Sequence, residues 1–496
     1  MNRLYGCLVA GVIAAAGVPA QAMYINPDGS GQVLLFPYYT ANAGQTTVLS
    51  LVNPTDRVKH LQVTFREGYN SREVLQFNVI LAPHDSWHGT AYSADAAGPA
   101  RLLTRDESCT VPLKSEWTSL SGGVYEKAFY KSNYTGTNLA DGGPATDART
   151  REGHVEVIER AELNGALAAA VVGQHPPQCT MLRDIGATTA GLAAPSGGIY
   201  GNFAVIDVAD GTLFGGAATA VADFTSHILF SDGAPPFWLA HGHSRDGATQ
   251  PEADALVPVD GRLLTLTYAA TNSRPLASGT NALSALLMTE NLYGDISRET
   301  SLGSHSEWVI TTPTRYLHAM DLPATESLAQ LAPFDGYYNE PRPQSSCTTF
   351  MPRSYDREGR SVELISDAEF SAPPGALPQY ALCLSTNVVH FSDLAANGTT
   401  PLLGSQLGTK VLPDMQAGHV QLELATVFDS NLRNVLPAGL RGPALRGLPV
   451  IAFETVRYVN DNVGGVLSNY GDANPLRRSV GCGDAAGAAE PCGQGN

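Results

Sequence analysis

Positive charge is scarce in this chain. Its 496 residues hold 30 Lys and Arg against 47 Asp and Glu, a formal net charge of −17. No cluster of basic residues stands out, so the electrostatic footprint that nucleic acid and anionic membrane surfaces require is missing. Charge of either sign is sparse, at 16% of residues, against about 25% in an ordinary soluble domain. Beyond residue 22 no apolar run is long enough for a transmembrane helix. No Cys-x-x-Cys spacing occurs, which argues against zinc knuckles and thioredoxin-like centres. Nucleophile motifs are missing too. Gly242-His243-Ser244-Arg245-Asp246 fails the Gly-x-Ser-x-Gly pattern at its last position. The Gly481-Cys482-Gly483 run lies in the tail, not between a strand and a helix, so it is no phosphate loop.

What is present points to strands. Hydrophobic residues make up 43% of the chain, too many for disorder, and 50 glycines and 32 prolines suit many turns. Val48 to Val52 is a short apolar run closed by the turn Asn53-Pro54-Thr55-Asp56. Leu61, Val63 and Phe65 then alternate with Gln62, Thr64 and Arg66. After Gly68-Tyr69-Asn70-Ser71 the alternation resumes with Leu75, Phe77, Val79 and Leu81. Trp87 closes the segment as a large apolar plug. Period-two spacing sends one face of a strand to a core and the other to water. Three such segments predict an antiparallel meander. The expected fold is mainly β: an immunoglobulin-like, antiparallel β-sandwich with a few short helices and long loop insertions.

Arg3, the apolar Leu8 to Val18 and Ala20-Gln21-Ala22 read as a signal peptide over residues 1–22. Removing it removes Cys7 and leaves Cys109, Cys179, Cys347, Cys383, Cys482 and Cys492. An exported chain would oxidise them, and six cysteines allow 15 pairings. The nearest-neighbour set is preferred: 109 with 179, 347 with 383, 482 with 492. Two β-rich regions are expected, 23–235 and 236–475, the second packed on the first. A stapled Gly/Ala-rich tail follows over 476–496. Pro37 suggests a strand edge or end. Residues 93–150 read as a loop insertion, Ala161 to Val172 as an Ala-rich helix, and Asn281 to Leu292 as another helix.

Several segments resemble an uncharacterised family of secreted, β-rich proteins of Gram-negative bacteria. They are Phe36-Pro37-Tyr38-Tyr39-Thr40, Thr47 to Asn53, Val63-Thr64-Phe65-Arg66-Glu67-Gly68, Gly153 to Glu159 and Trp308 to Thr314. The resemblance implies export and a β-rich fold. It brings no reaction, cofactor or catalytic residue.

Candidate chemistry is thin. His84 and His88 stand four apart around Asp85, a zinc spacing if the segment were helical; after a strand and Pro83, loop histidines are the better reading. His241, His243 and Asp246 read as an exposed loop rather than an acid–base cluster. Asn26, Asp28 and Ser30 place oxygens at alternate positions, as a calcium loop begins. Position twelve is Pro37 instead of a bidentate Glu, which favours a plain turn over calcium. Glu156 and Asp207 are the acids considered for polysaccharide hydrolysis. Tyr125, Phe129, Tyr130 and Tyr134 fall in loop-like sequence and are the candidate binding surface. The expected function is non-enzymatic: a surface or extracellular protein, adhesin-like or structural, that binds protein or carbohydrate at the cell surface or self-assembles. The alternative is a secreted hydrolase acting on polysaccharide.

Overall fold

The computed structural model describes residues 22–136, 141–230, 238–242, 245–246, 251–270, 276–319, 333–334, 347–364, 380–424, 444–459, 468–483 and 489–490. The expected leader up to Gln21, His243, Cys492 and the possible boundary at Pro235-Pro236 lie outside them. The fold is mainly β, built from antiparallel sheets. Among the described residues no helix is long and apolar enough to cross a membrane.

Two large sheets face each other in the first half. One runs in the order Tyr24–Ile25, Thr219–Ala222, Val33–Thr40, Glu152–Leu163, Val58–Glu67, Glu73–Leu81, Cys109–Val111. The other runs Thr212–Ala217, Tyr200–Asp207, Thr46–Asn53, Asp85–Ser93, Ala100–Thr104, Tyr125–Ala128, Thr118–Ser119. Leu61, Val63, Phe65, Leu75, Phe77 and Val79 meet Leu49, Leu51, Trp87, Leu102, Phe203 and Val205 between them. The inward set is the one the alternation marks. The meander is not formed. Thr46–Asn53 pairs with Asp85–Ser93 in the second sheet, while the hairpin between them belongs to the first. The chain therefore crosses from sheet to sheet at Asn53 and again near His84.

The second half adds two five-stranded sheets. One runs Gly408–Lys410, Thr386–His390, His305–Thr311, Ile451–Tyr458, Tyr470–Pro475, and the other Ser361–Val362, Met351–Asp356, Ala417–Glu423, Asn291–Ser297, Arg477–Ser479. We call them the third and fourth sheets. Trp308, Ile310 and Val389 of the third pack on Leu292, Ile296, Val420 and Leu422 of the fourth. The other face of the third sheet contributes Val309, Val388 and Phe453 to the first core. Each such buried side chain is worth about 1.5–3 kcal/mol relative to exposure.

Polar groups stitch the same seam. The Thr311 hydroxyl donates to the Pro37 carbonyl at 2.6 Å. Buried Glu307 accepts from the Leu402 and Leu403 amides at 2.7 and 3.0 Å and from the Thr400 hydroxyl at 2.8 Å. Glu152 accepts from the Ser405 hydroxyl at 2.6 Å and the Gln406 amide at 2.9 Å. Residues 400–406 are thus held by two buried carboxylates, one from each half.

Other expectations are corrected by this packing. Val58–Glu67 is buried on both faces, so Gln62, Thr64 and Arg66 are covered by protein, not by water. Pro37 sits inside Val33–Thr40, a strand buried throughout. The ladder to Glu152–Leu163 shifts register between Gly153 and Val155. Pro37 therefore falls at a bulge, where a missing N–H is tolerated. A Cβ on Gly153 would stand 2.0 Å from the Arg66 carbonyl oxygen, so that position admits only glycine. Ala161 continues the strand and pairs with His60; the helix shrinks to Gly165–Ala169. Sheet pairing overrides alanine's helix propensity there. The second helix is Ala277–Leu287, and Asn291–Ser297 is already strand. Residues 93–150 carry ladder strands, including Ala100–Thr104 paired with Tyr125–Ala128. Within the expected tail, Arg477–Ser479 pairs with Asn291 to Tyr293. Cys109–Cys179 and Cys347–Cys383 are bridged, with Cα separations of 5.1 and 3.9 Å. Cys482 is also disulfide-bonded.

Burial pushes the Glu307 carboxyl from 4.5 up to about 7. Between those values the folded chain holds a proton that the unfolded chain has released. The associated stability is complete below pH 4.5 and is lost as pH rises through about 7. Glu307→Gln has no such proton to lose. Denaturant unfolding at pH 5 and pH 8 should therefore show the variant gaining on the parent, by on the order of 3 kcal/mol. A difference independent of pH contradicts this.

Candidate binding groove

The fourth sheet turns Leu292 and Ile296 inward and Tyr293 and Asp295 outward. Antiparallel pairing sets their neighbours. Asp295 lies opposite His419, and His419 opposite Tyr355. Tyr293 lies between Gln421 and Arg477. The Tyr355 ring stacks on His419 at 4.9 Å and 16°. The ladder to Arg477–Ser479 ends at Tyr293, which frees the next stretch of the Asn291–Ser297 edge. There the Asp295 amide donates to Glu454 Oε2 at 3.0 Å. Glu454 comes from the third sheet, paired with Trp308 and Asn474. Gly294 makes the approach possible: a Cβ on it would stand 2.3 Å from Glu454 Oε2 and 2.3 Å from Leu476 Cδ2.

Tyr293, Gly294, Asp295, His419, Glu454, Asn474, Pro475 and Arg477 line an open groove of about 530 Å³. The Asp295 carboxylate, Tyr293 hydroxyl, His419 ring nitrogens, Arg477 guanidinium and Glu454 Oε1 make no hydrogen bond or ion pair with the described residues. Burial is the main cause that lifts the Glu454 carboxyl to about 7. Asp295 and Asp472 add repulsion, while the Asp295 amide and Arg477 pull the other way.

Several buried charges elsewhere are matched by an opposite charge. Arg149 joins Glu67 and Asp141 at 2.8 and 2.6 Å. Lys59 joins Glu159 and Glu162, both at 2.9 Å. Glu156 is buried against Arg66 at 2.7 Å, and Asp207 accepts from the Gln45 amide at 3.4 Å. Neither acid lines the groove. No family model matches the chain, and no curated protein or solved structure matches it.

The residues singled out from sequence do not converge. Phe129 and Tyr134 are core residues, and Tyr125 and Tyr130 pack partly buried against them. The expected aromatic surface is thus overturned: the segment closes a ladder on Ala100–Thr104 and its rings are drawn under it. The Tyr134 hydroxyl donates to the Thr146 carbonyl at 3.0 Å, and Arg149 stacks over its ring. His88 lies on a strand, and His84 is held by Asp56 at 3.0 Å; the pair shares no helical face. The Asn26 side-chain amide donates to the Ser30 carbonyl at 2.7 Å, and its oxygen accepts from the Asp28 amide at 3.1 Å. That is an Asx turn. His241 stacks on Trp238. Among the described residues no group of three or more His, Cys, Asp or Glu is placed to hold a metal ion.

The groove residues come from five strands scattered between Asn291 and Ser479. The readable signal was a lone acid in an alternating apolar strand, Glu454 between Phe453 and Thr455. A helix assigned across Asn291 and Leu292 hid the alternation that aims Tyr293 and Asp295 outward. Carbon-detected NMR titration of the labelled protein should place the Glu454 midpoint near 7. Asp295→Asn and Asp472→Asn should each lower it by removing a repelling charge. A midpoint at the ordinary 4.5, unmoved by either change, contradicts the geometry.

Proposed function

We propose that the chain is exported and acts by binding, and that the groove between Tyr293 and Glu454 takes a carbohydrate chain at the cell surface. The observation that carries this reading is the set of polar side chains around the groove that bond to nothing in the described fold. Arg149, Lys59 and Arg66 are buried and paired with acids, as desolvation demands. Asp295, His419 and Arg477 are open to water instead, and with Tyr293 they offer donors, acceptors and an aromatic ring. A sugar presents hydroxyls that both donate and accept, and an apolar C–H face that lies against a ring such as Tyr293. A concave site with a few directed polar groups is the usual form of a small-ligand site. Export is supported by the leader-like residues 1–22 and by the Cys109–Cys179 and Cys347–Cys383 bridges, which persist in oxidising compartments.

The test is a binding panel of soluble xylan, dextran, chitin oligosaccharides and peptidoglycan glycan strands, read by affinity electrophoresis and calorimetry. At least one member should bind. Tyr293→Ala and Arg477→Ala should each weaken it by roughly tenfold, the loss of a stacking or charge-assisted contact. Tyr200→Ala, on the second sheet, should leave binding unchanged. Binding that ignores the groove variants, or no binding at all, contradicts the proposal.

A further inference from the structure

We propose that this groove also cleaves the carbohydrate chain by hydrolysis of a glycosidic bond, with Glu454 as the general acid and Asp295 as the base that activates water. The inference rests on the carbohydrate-binding reading and goes beyond it.

Three features of the geometry support it. First, Glu454 is fixed with one oxygen to spare. Its Oε2 is held by the Asp295 amide at 3.0 Å, and its Oε1 bonds to nothing in the described fold. Its strand is part of the third sheet, buried between two cores at Phe453 and Trp308. A group on such a strand is held more precisely than one on a loop. Second, the amide contact ties the two carboxyl groups together. Covalent reach from the Asp295 nitrogen keeps the carboxyl carbons within about 8 Å of each other. Direct attack by a base-activated water uses carboxylates about 6.5–9.5 Å apart, a range that this bound admits. Third, the two environments differ. Glu454 lies below Gly294 with Leu476 and Trp308 close by, whereas Asp295 is exposed. Apolar surroundings favour the protonated acid and water favours the ionised one, the division of labour that the chemistry needs. The lift of Glu454 to about 7 agrees with this.

The step balances with water as the only co-reactant. Glu454 gives its proton to the glycosidic oxygen as the bond from that oxygen to the anomeric carbon breaks. The oxygen of a water bonds to the anomeric carbon, and Asp295 takes the proton that water releases. The leaving sugar departs with a hydroxyl, and the other product carries a new hydroxyl at its reducing end. The proton on Asp295 returns to Glu454 through solvent. One glycosidic bond and one water are consumed.

The experiment uses the full chain and each panel polysaccharide that it binds, incubated in water enriched in oxygen-18. New reducing ends are counted, and the label at them is read by mass spectrometry. The expected result is a steady release of labelled reducing ends. At saturating polysaccharide, Glu454→Gln and Asp295→Asn should each be slower by about 100-fold or more, the usual weight of one acid–base group. The parent's rate should fall as pH rises through about 7, and the residual rate of Glu454→Gln should not follow that fall. Thermal melts of both variants check that they fold. If either has not folded, Glu454→Asp, which keeps the acid, should still cleave. A bound polysaccharide that yields no labelled ends, or a Glu454→Gln protein as fast as the parent, overturns hydrolysis and leaves the binding reading standing. Failure of the parent to bind any panel member removes both.

Discussion

One strand is buried on both faces, and the rest of the molecule is arranged around that fact. Along His305–Thr311, Trp308 and Ile310 belong to the core of the second half, and Val309 to the core of the first. Glu307 and Thr311 point with Val309. Their bonds run to residues 400–403 and to the Pro37 carbonyl. A strand in this position has no wet side. Its polar side chains must find protein partners or leave costly unpaired groups. Glu307 finds three donors, and the loop that supplies two of them as backbone amides is thereby fixed.

The groove inherits its rigidity from this arrangement. Glu454 stands next to Trp308 on the neighbouring strand. Its position is therefore set by core packing, not by a surface loop. Asp295 and Tyr293 stand on the fourth sheet, whose inner face packs on the same core. The site forms where the two sheets meet and the ladder to Arg477–Ser479 has stopped. Side chains placed that way pay their ordering entropy on folding, not on ligand capture. The contrast with Arg149, Lys59 and Arg66 is instructive. Those cations are buried and matched by acids, as structural ion pairs must be. Arg477, Asp295 and Glu454 are close in space, and no ion pair joins them.

Sequence periodicity revealed the first core well. Leu61, Val63, Phe65, Leu75, Phe77, Val79 and Trp87 are all core residues, because alternation reports directly which side chains share a face. The cysteine spacing also served for 109 with 179 and 347 with 383. Periodicity cannot tell what lies over the second face. Gln62, Thr64 and Arg66 look like a wet face, yet all three are buried, and Arg66 lies against Tyr316 of the second half. The Tyr125 to Tyr134 rings misled for the same reason: polar neighbours suggested a surface, and the contacts that bury the rings come from far along the chain. At Asn281 to Leu292 the apolar stripe of Ala282, Leu283, Leu286 and Leu287 was read correctly as helix. Its end was not, since Leu292 fits a helical stripe and a strand face equally well. That boundary concealed the groove.

The most direct test of this account is native-state hydrogen exchange followed by mass spectrometry, because the account makes the third sheet a shared core. Amides of Thr46–Asn53 and Val58–Glu67 in the first half and of His305–Thr311 and Ile451–Tyr458 in the second should open together, with one common free energy near that of global unfolding. Exchange of the second-half strands at a lower free energy, independent of the first half, would contradict the shared core and with it the rigid placement of Glu454.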